Sequence, residues 1–227
     1  MRRRRRSPAK PESKYESVHL ADDVVTELRA TARPGKGDIL VKVFADAVAA
    51  YLQDDYLEAV RLGEQAKHIA LRAIGPREFL GLAYYRAGRY PEAARELAAF
   101  RRLSGSTDQN HVLADSYRAM GKPEKALEYC DEVPKSAPQE IYFEAQIVAA
   151  GALNDRGRLD DAIARLEALD LRPDQVENHH IRASYTLADL LQKKGRFTQA
   201  REWFEAADAA DPELTDAGER ALQLRAR

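Results

Sequence analysis

Apolar residues recur along the chain with the spacing of helices that bury one face. Leu80, Tyr84 and Ala87 stand at helical intervals, as do Leu113, Tyr117 and Met120, and Leu187 with Leu191. Each set is followed by a short break and a second periodic stretch: Ala93, Leu97 and Phe100; Ala126, Cys130 and Val133; Ala162, Leu166 and Leu169; Ala200, Phe204 and Ala207. Pairs of helices sharing a core are therefore predicted.

The breaks themselves repeat. Gly88-Arg89-Tyr90-Pro91-Glu92-Ala93, Gly121-Lys122-Pro123-Glu124-Lys125-Ala126, Gly157-Arg158-Leu159-Asp160-Asp161-Ala162 and Gly195-Arg196-Phe197-Thr198-Gln199-Ala200 align without gaps, and a degenerate copy runs from Asp54 through Tyr56 to Ala59. The five alanines are 34, 33, 36 and 38 residues apart, close to the period of a paired-helix repeat. The glycine supplies a left-handed cap that ends one helix, and the alanine lets the next helix approach closely. Pro76, Pro138, Pro173 and Pro212 fall between pairs, where they stop one helix or open the next. A further helix is predicted from Asp22 to Ala32, entered through Asp22 or Asp23 and closed by Arg33-Pro34-Gly35. Another is expected from Leu214 onward, a solvating cap carrying Leu222 and Leu224.

These residues resemble the tetratricopeptide repeat family, most closely in Leu80-Gly81, Tyr84, Gly88, Tyr90, Ala93, Leu97 and Phe100, and in Ala200, Phe204, Ala207 and Pro212. The bulky aromatic that the family often places early in its first helix is missing, and the first copy departs further, with Asp54 in place of the glycine and Gly63 at an apolar site. The resemblance implies an all-α, right-handed α-solenoid of antiparallel helix pairs with terminal cap helices, of bacterial type. Its expected organisation is a basic disordered tail over 1–17, a cap helix and loop over 18–37, five repeats over 38–212 (about 38–72, 74–105, 107–138, 141–172 and 177–212) and a cap helix over 213–227. It also implies a concave groove, lined by the first helix of each pair, that binds an extended peptide or a helix of a partner.

Aligning the copies puts Glu78, Leu82, Tyr85 and Arg86 in that groove, then His111, Asp115 and Arg118, then Glu144, Ile147, Asn154 and Asp155, then Arg182, Tyr185, Asp189, Gln192 and Lys193. His111, Asp115 and Arg118 share one helix face, so they pair among themselves or present both charge signs to a ligand. Tyr85 and Tyr185 are the expected anchors, because tyrosine gives contact area at low entropic cost. The Lys and Asn array with which some family members clamp a terminal carboxylate is missing: its positions hold Phe44 with Val48, Glu78 with Leu82, and His111 with Asp115.

Charge adds a second candidate. The net charge is −1, yet residues 1–14 hold seven of the 36 Lys and Arg residues and one of the 37 acidic residues, which leaves −7 for the rest. The run Arg2, Arg3, Arg4, Arg5 and Arg6 can neutralise phosphates without a fold of its own, so the alternative is an RNA-, DNA- or ribosome-associated adaptor that docks through this tail. A flexible arm of about 20 residues, with an r.m.s. reach of about 25 Å, could instead occupy the acidic body's own groove.

Reactive chemistry finds little support. Cys130 takes the apolar position that Leu97, Leu166 and Phe204 take elsewhere, and one cysteine forms no intramolecular disulfide. His179 and His180 are adjacent, diverge on a helix, and are read as cap-proximal or surface residues rather than metal ligands. Lys36 between Gly35 and Gly37 lacks the glycine spacing and the Ser or Thr of a phosphate loop. Trp203 is expected to pack against the terminal cap. No stretch approaches the roughly 20 apolar residues of a spanning helix. The sequence thus predicts a cytoplasmic, non-catalytic adaptor without cofactor or metal, with a protein partner as the first expectation.

Overall fold

The computed structural model describes residues 15, 16 and 18–225, so the basic run Arg2 to Arg6 lies outside the described residues. Twelve α-helices and no strand occur among the described residues. They fall into two compact units divided after Gly88.

The first unit holds α1 (Asp22–Thr31), α2 (Gly37–Leu52), α3 (Tyr56–Ile69) and α4 (Gly75–Arg86). Ala21 precedes α1 without a side-chain cap, so Asp22 and Asp23 lie inside its first turn, where their charges suit the positive end of the helix. Leu28, Leu40, Phe44 and Ala66 bury the contact between α1, α2 and α3, and Phe44 meets Phe79 of α4 edge to face at 5.3 Å. Gly63 is accounted for here: a Cβ would stand 3.0 Å from Leu80 Cδ1, so the apolar position is left small for α4 to fit. The degenerate turn keeps the geometry of the others. Asp54 has φ 58°, in the left-handed region with Gly88, Gly121, Gly157 and Gly195 at 70° to 83°, and aspartate is among the few L residues that visit it.

The second unit holds α5 (Tyr90–Ser104), α6 (Asn110–Ala119), α7 (Pro123–Asp131), α8 (Gln139–Asp155), α9 (Leu159–Glu167), α10 (Asn178–Lys193), α11 (Phe197–Ala210) and α12 (Ala217–Leu224). Consecutive helices pack on one another throughout, and α8 also packs on α6 and α10. The first helices α6, α8 and α10 thus lie side by side. Ala126, Ala162 and Ala200 are fully buried, as is Ala59 of the first unit, as close helix approach requires. Cys130 is fully buried as a core residue. Trp203 is half-buried against the cluster that contains Ala217, Ala221 and Leu224 of α12. Of the two leucines that this cap carries, Leu224 is buried and Leu222 is 61% exposed, because the face at spacing three and four runs through Ala217, Ala221 and Leu224. No helix among the described residues is long and apolar enough to cross a membrane.

Candidate functional site

Along the second unit, α6, α8 and α10 carry a chain of ion pairs from helix to helix. Arg118 of α6 donates from Nη1 to Asp115 at 2.8 Å and from Nε to Asp155 of α8 at 2.6 Å. Its guanidinium lies over Gly151, where a Cβ would come within 2.8 Å of Nη1, so the glycine is what admits the arginine. Arg182 of α10 reaches back to Glu144 of α8 at 3.0 Å. Arg220 of α12 makes the last crossing, donating to Asp189 Oδ1 at 2.8 Å, to Gln192 Oε1 at 2.7 Å and to the Tyr185 hydroxyl at 3.0 Å. The same guanidinium stands 4.4 Å from the Phe204 ring centroid, and Tyr185 Oη donates onward to Asp216 at 2.5 Å.

Between these crossings two adjoining clefts open. One, of about 370 Å³, is walled by Glu140 and Glu144 of α8, by Glu177, Asn178, His179 and Arg182 at the start of α10, and by Leu214. The other, of about 350 Å³, is lined by Ile147, Arg182, Tyr185, Thr186, Leu214 and Thr215. Arg182 and Leu214 belong to both. Leu214 sits in the connection between α11 and α12, where the Asp211 carboxylate accepts from the Glu213 amide at 2.9 Å and the Thr215 hydroxyl accepts from the Ala217 amide at 3.3 Å. These local bonds turn the chain across the end of the clefts.

Two carboxylates along this chain, Glu144 and Asp189, are shifted in opposite directions. Burial pushes the Glu144 carboxyl above its ordinary range, with Arg182 opposing and Glu140 reinforcing the rise. Burial also acts upward on Asp189, but the hydrogen bonds from Lys193 and Arg220 outweigh it and the group is held low. Burial pulls His111 below its ordinary value, and the Arg182 charge adds to that. The Cys130 thiol is pushed up to about 12 by burial, so it stays protonated at neutral pH. The two clefts set a charged lining beside a more apolar one, and Cys130 is not an activated nucleophile.

Tetratricopeptide repeat models match residues 75–99, 111–176 and 153–227, together more than half of the chain. The chain belongs to the tetratricopeptide repeat family. Among curated relatives it is 24% identical over 185 residues to DnaJ homolog subfamily C member 3 of Gallus gallus. That alignment covers 77% of this chain and 37% of the relative, so the chain spans little more than a third of that protein's length. A thermophilic tetratricopeptide repeat protein of Thermus thermophilus superposes with a TM-score of 0.62 at 19% identity, over 83% of this chain and 100% of its own. YrrB, a tetratricopeptide repeat protein with an unusual peptide-binding site, superposes with a TM-score of 0.54 at 19% identity, over 82% of this chain and 91% of its own. At this identity the likeness carries the fold alone: an all-α helical repeat of the solenoid class.

Within that repeat fold, His111, Asp115, Arg118, Asp155, Arg182, Tyr185, Asp189 and Gln192 come together along α6, α8 and α10, linked by the ion pairs above and by the charge of Arg182 on His111. Asn154 and Lys193 lie toward the ends of their helices, Lys193 paired with Asp189 at 2.7 Å. Tyr85 and Arg86 belong to the first unit. There Arg86 stands over the Tyr56 ring at 4.7 Å and pairs with Asp54 at 3.6 Å. The histidine pair is cap-proximal, in the first turn of α10 after Glu177, but it is not at the surface: His180 is 6% exposed, His179 is half-buried, and both rings pack edge-on against Phe143. Their position at the start of α10, beneath α8, buries them. Sequence reasoning missed Arg220, Glu140, Glu177 and Leu214. Arg220 had a signal, since it stands three residues after Ala217 and four before Leu224, on the face that α12 buries.

Proposed function

We propose that this chain works as a non-catalytic scaffold whose α6–α8–α10 face takes up an extended segment of a partner protein. The tetratricopeptide repeat fold serves protein–protein interaction in general; the finer reading rests on the two adjoining clefts, one polar and one more apolar, that share Arg182 and Leu214. A pocket pair of this kind suits alternate side chains of an extended peptide, which point to the same side at every second residue. YrrB's peptide-binding site is a precedent within the same fold.

The test is capture from native lysate of the source cell, comparing the full chain with Ile147→Ser/Leu214→Ser and with Leu214→Ser alone. A protein retained by the wild type should be lost from the double variant and weakened on the single one, with helicity by circular dichroism unchanged. Equal retention by all three would remove the face from consideration. Salt separates the rival reading, in which Arg2 to Arg6 dock on nucleic acid. Phosphate contacts weaken steeply with ionic strength, whereas apolar docking changes little.

A further inference from the structure

The two clefts also narrow the chemistry of what they take. In the polar one, Glu140, Glu144 and Glu177 face a single guanidinium, Arg182. Arg182 is committed to Glu144, and Glu140 and Glu177 have no ion-pair partner among the described residues. The cleft therefore presents an excess of two negative charges. It also carries a buried nitrogen, His179 Nε2, that meets no hydrogen-bond partner among the described residues. The second cleft offers Ile147, the Tyr185 ring and Leu214 beside two threonines, and Leu214 is 37% exposed at its rim.

We infer that the occupant is an extended segment of a partner protein that places a Lys or Arg side chain in the cleft of Glu140, Glu144 and Glu177, and a bulky aliphatic side chain two residues away beside Ile147 and Leu214. The inference rests on the docking reading above and specifies its ligand. In an extended chain two residues span about 6.6 Å and direct both side chains to one side, which matches clefts that share two wall residues. Arg182, exposed over half its side chain, is released from Glu144 when a ligand cation takes its place, and its donors then meet carbonyl groups of the bound segment. An acidic segment or a nucleic acid backbone would bring like charge to Glu140 and Glu177. The chain's own residues 1–14 carry the cations but no Leu, Ile, Val or Phe, so they suit only one of the two clefts.

Nine-residue fluorescein-labelled peptides in a Gly–Ser background test this against the full chain by fluorescence anisotropy. One carries Arg at its fourth position and Leu at its sixth, a second Glu and Leu, and a third Arg and Ser; a separate labelled fourteen-residue peptide reproduces residues 1–14. The Arg–Leu peptide should bind about tenfold more tightly than the Glu–Leu peptide, the effect of exchanging charge repulsion for one or two exposed ion pairs. Glu140→Gln/Glu177→Gln should abolish that preference without changing the thermal midpoint, and Leu214→Ser should abolish only the preference for Leu over Ser. If the Glu–Leu peptide binds as well or better and Ile147→Ser/Leu214→Ser still removes it, the face docks peptides but the basic occupant is wrong. Should no peptide bind at all, or should binding be indifferent to every variant, the docking reading falls and the inference with it. Tighter binding of the 1–14 peptide than of the Arg–Leu peptide, competed by it, would make the occupant the chain's own segment and overturn the partner assignment.

Discussion

Glu144 and Asp189 lie on neighbouring first helices, α8 and α10, and each pairs with an arginine from the following first-helix position, Arg182 and Arg220. Their surroundings diverge. Asp189 receives two cations, Lys193 at 2.7 Å and Arg220 at 2.8 Å, and is held low despite burial. Glu144 receives one, shares its cleft with Glu140 and is held high. The α10–α12 end of the face is thus closed by the protein's own arginine, while the α8–α10 stretch keeps Glu144 with one cation and Glu140 beside it. One structural role, a carboxylate on a first helix, is fully or only partly compensated according to what the next helix supplies.

The largest effect should come from reversing the fastening. Arg220→Glu removes donors from Asp189, Gln192 and Tyr185, withdraws a cation from the Phe204 ring and sets a third carboxylate near Asp189 and Asp216. A loss of about 3 kcal/mol is expected, the scale of breaking a partly buried pair and leaving its partner uncompensated. Urea denaturation followed by circular dichroism measures it. A loss below about 1 kcal/mol, the range of exposed pairs, would mean that α12 is only resting on α10 and that the two regions do not differ in kind.

Removing the carboxylate instead of the cation should have an intermediate effect and a distinctive pH signature. Asp189 is depressed in the fold, so the unfolded chain binds its proton more readily. Its contribution is therefore fully present above the ordinary aspartate range and is lost as pH falls through and below that range. Asp189→Asn should cost about 1 to 2 kcal/mol at pH 7, as expected for hydrogen bonds to a charged group in a half-buried setting. It should also flatten the acid limb of stability against pH, measured from urea midpoints between pH 3 and 7. An unaltered acid limb would show that Arg220 is held by Tyr185, Gln192 and the aromatic rings alone.

How far the sequence discloses this contrast depends on what each residue answers to. Ala126, Ala162 and Ala200, and the glycines at the turns, were legible because a single local demand, close helix approach or a left-handed φ, recurs at each position and leaves few residue types to meet it. Even Asp54, which breaks the pattern as a letter, keeps it as a conformation. The same repeat register puts the candidate residues from His111 to Lys193 on α6, α8 and α10. What the register does not contain is who faces whom. Arg220 comes from α12, the last helix among the described residues, for which the repeated turn gives no register, and Glu177 and Leu214 come from the starts and connections of helices, where periodicity stops. The groove residues Tyr185, Asp189 and Gln192 therefore read from the sequence as groups available to a partner, although Arg220 already holds their polar atoms and only the Tyr185 ring still borders a cleft. Tyr85 and Arg86 fall in the first unit, where Arg86 has its own partners in Asp54 and Tyr56.

The smallest expected effect is the most telling, because its sign separates the two carboxylates. Glu144 is raised in the fold, so the folded chain binds its proton more readily than the unfolded one, and its charge at neutral pH opposes folding. That penalty is relieved as pH falls into the raised range. Glu144→Gln keeps the shape, removes the buried charge and its repulsion with Glu140, and leaves only Arg182 without its partner; Arg182 is more than half exposed and is hydrated at little cost. Stability at pH 7 should change by less than about 0.5 kcal/mol, toward greater stability if in either direction. Asp189→Asn, the same chemical change one helix along, should lose stability under identical conditions. If Glu144→Gln instead destabilises as much as Asp189→Asn, then Glu144 is a fastening as well, and the cleft it lines is part of the scaffold's own cohesion rather than a surface kept in charge imbalance for a ligand.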